Sequence, residues 1–162
     1  MGKNGTVKRF RGSFVLKLDD RGRIKLPSRY ISILENYGKD VYLTSINGDN
    51  ILLYPISVWE EIEDKIERLK IRNQIVEEFV RRTSYWGSEI ELDPRGRILI
   101  PADLRQTSNL NKEVLILGEI DHMVLWNNED FKKKFISKKF TSRQIDEVSR
   151  LLNEFSTLSG NE

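Results

Sequence analysis

Phe14, Leu16 and Leu18 alternate with Val15 and Lys17, and Ile24 and Leu26 alternate with Arg23 and Lys25. A period of two puts one set of side chains on one face, so both stretches predict half-buried β-strands. Ile90 and Leu92, then Ile98 and Ile100, give the same pattern later in the chain. Pro27 and Pro101 end these strands, and short helices are expected over 28–34 and 102–105. Strands at 41–46 and 51–54 flank Asn47-Gly48-Asp49, a strong hairpin signal, with counterparts at 114–117 and 123–126. The period then lengthens. Ser57 and Glu60 read as a capping box ahead of Trp59, Ile62, Ile66 and Leu69 at helical spacing, and Ile75, Phe79 and Val80 extend that apolar face. Asn128 is expected to cap a helix carrying Phe131 and Phe135. A last helix from Thr141 carries Ile145, Val148, Leu152 and Phe155 on one face, and fraying is expected after Ser156.

The two strand pairs enclose the same turn. Residues 18–27 read LDDRGRIKLP and residues 92–101 read LDPRGRILIP. Asp19 matches Asp93, Arg21 matches Arg95, Gly22 matches Gly96 and Arg23 matches Arg97. Asp and Gly suit a tight turn, because Gly takes φ > 0 without a Cβ clash. A duplicated β-unit is the reading. A half of about 75 residues buries little surface alone, so the copies are expected to pack as a pseudo-two-fold pair. Exposed apolar helix edges then suit self-association.

Composition narrows the function classes. Net charge is only +2, but nine basic residues lie between Met1 and Tyr30, opposed only by Asp19 and Asp20. A local basic block on a near-neutral chain points to a polyanion-facing surface. No apolar run approaches the ~20 residues of a membrane span. The first ten residues, MGKNGTVKRF, lack the apolar stretch of a signal peptide. Without Cys there is no disulfide framework and no thiolate metal site. A cytoplasmic protein fits. No metal cluster, nucleophile elbow or phosphate loop stands in the sequence, and the single histidine, His122, reads as a surface turn residue. An enzyme is therefore not expected, nor a cofactor or small-molecule substrate.

The paired D-x-x-G-R turns, the LLYP stretch (Leu52 to Pro55) with Trp59, and the spacing between halves resemble the MraZ family. The resemblance runs from about Phe10 to Phe155. It implies bacterial transcriptional regulators of α+β class, built from two AbrB-like swapped-hairpin halves that form a double-split β-barrel with helices closing each half. On that reading residues 1–9 are a flexible extension, 10–57 the first AbrB-like domain, 58–83 a connecting helical segment, 84–127 the second domain and 128–162 a C-terminal helical segment. It also implies ring-shaped homo-oligomers that bind double-stranded promoter DNA at direct repeats. The operon controlled is the family member's own, in the division and cell-wall cluster, with the protein nucleoid-associated. The family's DNA motif, D-x-x-x-R, falls on Asp19–Arg23 and Asp93–Arg97.

Arginine suits that role because its planar fork grips phosphate, or guanine O6 and N7, bidentately. Arg23 and Arg97 are assigned as primary contacts, Arg21 and Arg95 as supporting ones, and Lys17 and Lys25 as phosphate contacts. Asp19, Gly22, Asp93 and Gly96 are assigned to the turns themselves, since an acid there would repel phosphate. The copies differ: Lys17 becomes Glu91, Lys25 becomes Leu99 and Arg29 becomes Asp103. Summed by halves, this predicts that the N-terminal half supplies most of the phosphate attraction, and that Arg23→Ala weakens binding more than Arg97→Ala. An oligomer presenting many turns to spaced repeats gains avidity on the order of 10²–10⁴. The rival readings are an oligomeric scaffold and an AbrB-like antitoxin, the latter usually one such unit with a disordered tail.

Overall fold

The computed structural model describes residues 9–71 and 73–159. Of the expected N-terminal extension only Arg9 falls within them; Lys3, Lys8 and residues 160–162 lie outside the described residues. The chain divides into two units, Met1–Asn128 and Glu129–Glu162.

In the first unit the chain order is β1 (Ser13–Lys17), β2 (Arg23–Lys25), α1 (Ser28–Tyr37), β3 (Asp40–Thr44) and β4 (Ile51–Pro55). Two helices follow, α2 (Ile56–Glu67) and α3 (Gln74–Tyr85). The order then repeats as β5 (Ser88–Glu91), β6 (Arg97–Leu99), α4 (Ala102–Thr107), β7 (Glu113–Glu119) and β8 (His122–Asn127).

The copies interweave. β1 pairs antiparallel with β7, and β5 pairs antiparallel with β3, so each copy's first strand completes the other copy's hairpin. β4 pairs with β8 and β2 with β6. Equivalent positions keep equivalent registers: Leu16 faces Val114 where Ile90 faces Val41, and Ile24 faces Ile98 at the centre of the ribbon. This is an internal pseudo-two-fold relation.

Six strands make one antiparallel sheet in the order β1-β7-β8-β4-β3-β5, and β2 with β6 makes a separate two-stranded ribbon. β1 and β5 are edges, so the hydrogen-bonded ladder is open. The fold is α+β, with a mostly antiparallel sheet whose ladder does not close into a barrel. The tight turn after β1 carries β2 out of the sheet and onto β6.

The ribbon's inward side chains, Ile24, Leu26, Ile98 and Ile100, are at most 2% exposed and join a core with Leu43, Ile51, Leu53, Val114 and Ile116. Each such burial is worth roughly 1.5–3 kcal/mol. The core thus anchors the ribbon from below and leaves its other face, Arg23, Lys25, Arg97 and Leu99, toward solvent. Phe10 reinforces the entry to β1. It is fully buried, edge-on to Tyr30 at 5.5 Å, and forms a β-bridge to Ile120.

Three local expectations are corrected. The capping box at Ser57 and Glu60 does not form, because α2 starts at Ile56 directly after Pro55 and Ser57 lies inside the first turn. The long apolar face is split into two helices, and Asn73 caps the second by accepting from the Ile75 N–H at 2.7 Å. His122 is no surface turn residue: it opens β8, its side chain is only 15% exposed, and its ring stacks on Tyr54 at 4.3 Å.

α5 (Asn128–Phe131) has Asn128, the last residue of the first unit, as its first helical residue, and it continues in the second unit into a π-helical turn, Lys132–Ile136. α6 (Ser142–Ser159) follows. It begins with a reciprocal cap, in which the Gln144 N–H donates to Thr141 Oγ1 at 3.2 Å and the Thr141 N–H donates to Gln144 Oε1 at 2.8 Å. Its backbone stays helical through Ser159, beyond the expected fraying point.

Candidate nucleic-acid interface

Each turn is built around one carboxylate. Asp19 Oδ1 accepts from the backbone N–H of Arg21 and of Arg23, both at 2.9 Å. Its Oδ2 accepts from Arg23 Nε at 2.8 Å. The main chain closes the loop, since the Asp19 N–H donates to the Arg23 carbonyl at 2.9 Å and the Gly22 N–H to the Asp19 carbonyl at 3.1 Å. The second turn repeats this bond for bond. Asp93 Oδ1 accepts from the N–H of Arg95 at 2.8 Å and of Arg97 at 2.9 Å, and Oδ2 accepts from Arg97 Nε at 2.6 Å. Gly22 and Gly96 sit at φ of 78° and 75°, a region that a Cβ disfavours.

The same carboxylate therefore shapes the turn and aims the arginine. The side chains of Arg23 and Arg97 are 26% and 27% exposed, partly buried and pinned through Nε, while Arg21 and Arg95 are exposed. Fixing a guanidinium by one edge leaves its terminal nitrogens for a bidentate contact and lowers the entropy lost on binding.

Both carboxyls are held below the usual aspartate range. The chief cause is the bond from the Arg23 N–H to Asp19, and from the Arg97 N–H to Asp93. Burial opposes it as the next-largest effect, and the arginine side chain and the N–H of Arg21 or Arg95 add to the lowering. A carboxyl whose folded value is depressed stabilises the fold above its unfolded value, and that contribution is lost as pH falls through the folded value. Asp19 and Asp93 are thus expected to remain ionised through pH ~3.9, where an ordinary aspartate is half-protonated, and both turns to loosen only below it. A carboxyl-carbon NMR titration checks this; ordinary values at both sites would mean the turns are not locked.

The ribbon fixes the turns relative to each other. Beyond the β2–β6 pairs, the Leu26 N–H donates to the Gly96 carbonyl at 3.0 Å and the Ile100 N–H to the Gly22 carbonyl at 2.9 Å. The turns therefore lie at opposite ends of a five-residue ribbon, roughly 14 Å apart at ~3.4 Å per residue.

The exchange also redistributes the charges that the halves carry in sequence. Lys25 pairs directly with Arg97, while Arg23 faces Leu99. Lys17 faces Glu113 across the β1–β7 pair, so an opposite charge accompanies it. α1, the helix of Arg29, lies on the second turn: Ile31 packs where a Cβ on Gly96 would stand, and an open cleft there brings Lys25, Ile31 and Lys39 to Asp93, Arg95 and Arg97. α4, the helix of Asp103, lies on the first turn, and its Arg105 guanidinium covers Gly22. Summing charge by halves is thus the wrong unit, and the expected dominance of the N-terminal half is withdrawn. The first turn gains Arg105 from the other copy, and the second gains Lys25 and Lys39.

Arg105 is the residue that sequence reasoning missed. Its Nε is buried without a hydrogen-bond partner, and Ile31 occupies the equivalent place at the other turn. Only the repeat alignment, which sets Arg105 against Ile31, carried a signal.

The comparisons with known proteins follow the same duplication. The family described as "MraZ protein, putative antitoxin-like" matches residues 9–82 and 87–153, one stretch for each copy. A protein of Koribacter versatilis (strain Ellin345) named Transcriptional regulator MraZ is 32% identical over 144 residues, 88% of this chain and 98% of that protein. One of the same name from Shewanella oneidensis is 38% identical over 122 residues, covering 74% of this chain and 80% of the relative. Another, from Acidobacterium capsulatum, is 33% identical over 125 residues, covering 76% and 86%. With both copies matched and relatives aligned over most of its length, this chain belongs to the MraZ family.

Proposed function

We propose that this chain is a sequence-specific DNA-binding transcriptional regulator, not an enzyme, acting on its own operon in the division and cell-wall gene cluster. One observation carries the reading: two arginines, Arg23 and Arg97, are each locked by a carboxylate and stand on one solvent-facing ribbon. The names of the relatives agree with it. Arg23 and Arg97 read base edges or grip phosphate, Arg21 and Arg95 support them, and Lys25 and Arg105 add positive potential. Lys17 contributes less, given Glu113 opposite it.

The reciprocal strand exchange supports an AbrB-like swapped-hairpin arrangement of the double-split type, with halves 10–57 and 84–127 joined by 58–83. The working form is a ring-shaped homo-oligomer on direct repeats, in the cytoplasm at the nucleoid. Leu69, Ile71, Ile75 and Tyr85 on and between α2 and α3 are exposed by 49% or more and suit self-association. No helix among the described residues is long and apolar enough to cross a membrane. The scaffold reading leaves the duplicated Asp–Arg locks without a purpose, and an antitoxin would not need two interwoven copies.

The test is a fluorescence-anisotropy titration of a duplex from upstream of the gene against a scrambled duplex, at two salt concentrations. Tight, salt-sensitive binding that favours the upstream duplex is expected. Equal, weak binding to both would leave only generic charge and favour the scaffold.

A further inference from the structure

The turns do not account for the densest positive charge on the chain. Between Phe131 and Arg143 stand Lys132, Lys133, Lys134, Lys138, Lys139 and Arg143, with no acidic residue among them. All six are exposed. Lys132 reaches Glu129 at a long 3.8 Å, and Lys134 lies 5.5 Å from the Phe135 ring centroid. The π-helical turn Lys132–Ile136 sets three of the lysines in succession.

We propose that this lysine segment of the second unit is a separate DNA-backbone contact, gripping phosphates without reading sequence. The inference rests on the DNA-binding reading above and adds to it a surface that neither turn provides. Lysine is well matched to such a contact, being a compact point charge on a flexible stem, adequate for phosphate and poor for the planar fit that base reading needs. Each contact of this kind releases condensed counterions and steepens the salt dependence of binding. An anionic membrane is the other polyanion to weigh, since Phe135, Ile136 and Phe140 are 47%, 66% and 62% exposed. The following helix argues against it. The polar side of α6 carries Asp146, Glu147 and Glu154 beside Arg143 and Arg150, whereas a membrane-surface helix keeps a basic polar face.

The experiment uses the full chain with Lys133, Lys138 and Lys139 all changed to Gln, and the same three changed to Arg as the control for folding. Both are titrated against the upstream and scrambled duplexes across a salt series. The Gln variant should lose affinity for both duplexes by the same factor, about tenfold or more at low salt. Its log–log salt slope should fall by about three, and its preference for the upstream duplex should stay unchanged. The Arg variant should bind like the parent. Unchanged affinity and slope in the Gln variant, with the parent binding normally, would overturn this proposal and leave the turn reading intact. A loss confined to the upstream duplex would overturn it as well, by making the segment a sequence reader. Failure of the parent to bind either duplex would overturn both readings. A parent that also binds phosphatidylserine vesicles, with the Gln variant losing only the vesicles, would overturn this proposal alone and leave the turn reading intact.

Discussion

Arg23→Ala is expected to lower affinity for the upstream duplex by roughly 5- to 150-fold, and Arg97→Ala by a comparable factor. A well-placed bidentate contact is worth about 1–3 kcal/mol of discrimination, and each turn presents one pinned guanidinium. The losses should match within a few-fold because each turn draws positive charge from the opposite copy, Arg105 at Gly22 and Lys25 with Lys39 at the second turn. Arg105→Ile, which installs the residue found at the other turn, should cost less than Arg23→Ala, since it removes charge near the turn and leaves its lock intact. Changing Arg23 and Arg97 together should reduce binding of the upstream duplex to the level of scrambled DNA. Arg23→Lys is the informative control: an ammonium keeps the charge but lacks the planar fork that gives Nε to Asp19 and two parallel donors to a base edge. Anisotropy at fixed salt measures all of these. Preserved selectivity in the double variant would exclude the turns as the reading element.

The second large effect concerns folding. Gly118→Ala should destabilise the first unit by roughly 2–4 kcal/mol, a fall in thermal midpoint of about 5–15 °C. A Cβ at Gly118 would meet the backbone of Phe10 and Arg11, not the end of a side chain that could swing aside. The Gly118 N–H also donates to the Gly12 carbonyl at 2.9 Å, and the Phe10–Ile120 bridge adjoins it at 2.8 and 3.1 Å. Relief requires moving the segment that leads into β1, which draws the fully buried Phe10 out of contact with Tyr30. Calorimetry decides the matter, and a midpoint shift under about 2 °C, less than even 1 kcal/mol would produce, would show that the close approach is not maintained in solution.

Much of this was legible in the residues. Period-two alternation located the strands on either side of each turn, and the repeated Asp and Gly located the turns, because both signals are local. Strand partners are not local. The inward face of β1 reads the same whether β7 or another strand lies beside it, so the exchange, and with it the position of Lys25 next to Arg97, stayed hidden. Ser57 and Glu60 matched a capping pattern that Pro55 pre-empted by starting α2 directly behind it, at Ile56. Arg105 sits on a short helix with an ordinary surface spacing, and only its contact with the other copy's turn gives it meaning.

The ribbon between the turns has no hinge, and that makes it a gauge. Along it Arg23 and Arg97 stand two residues out of register, ~7 Å at ~3.4 Å per residue, which is about two base-pair steps of B-form DNA. A one-base-pair insertion between the positions read by Arg23 and Arg97 displaces one of them by a full step and turns it about the duplex axis. Neither copy can shift to follow, because each holds the other's first strand. On the proposed reading, the duplication joined two readers into a single rule of fixed length, free to vary in what each end recognises but not in the distance between them.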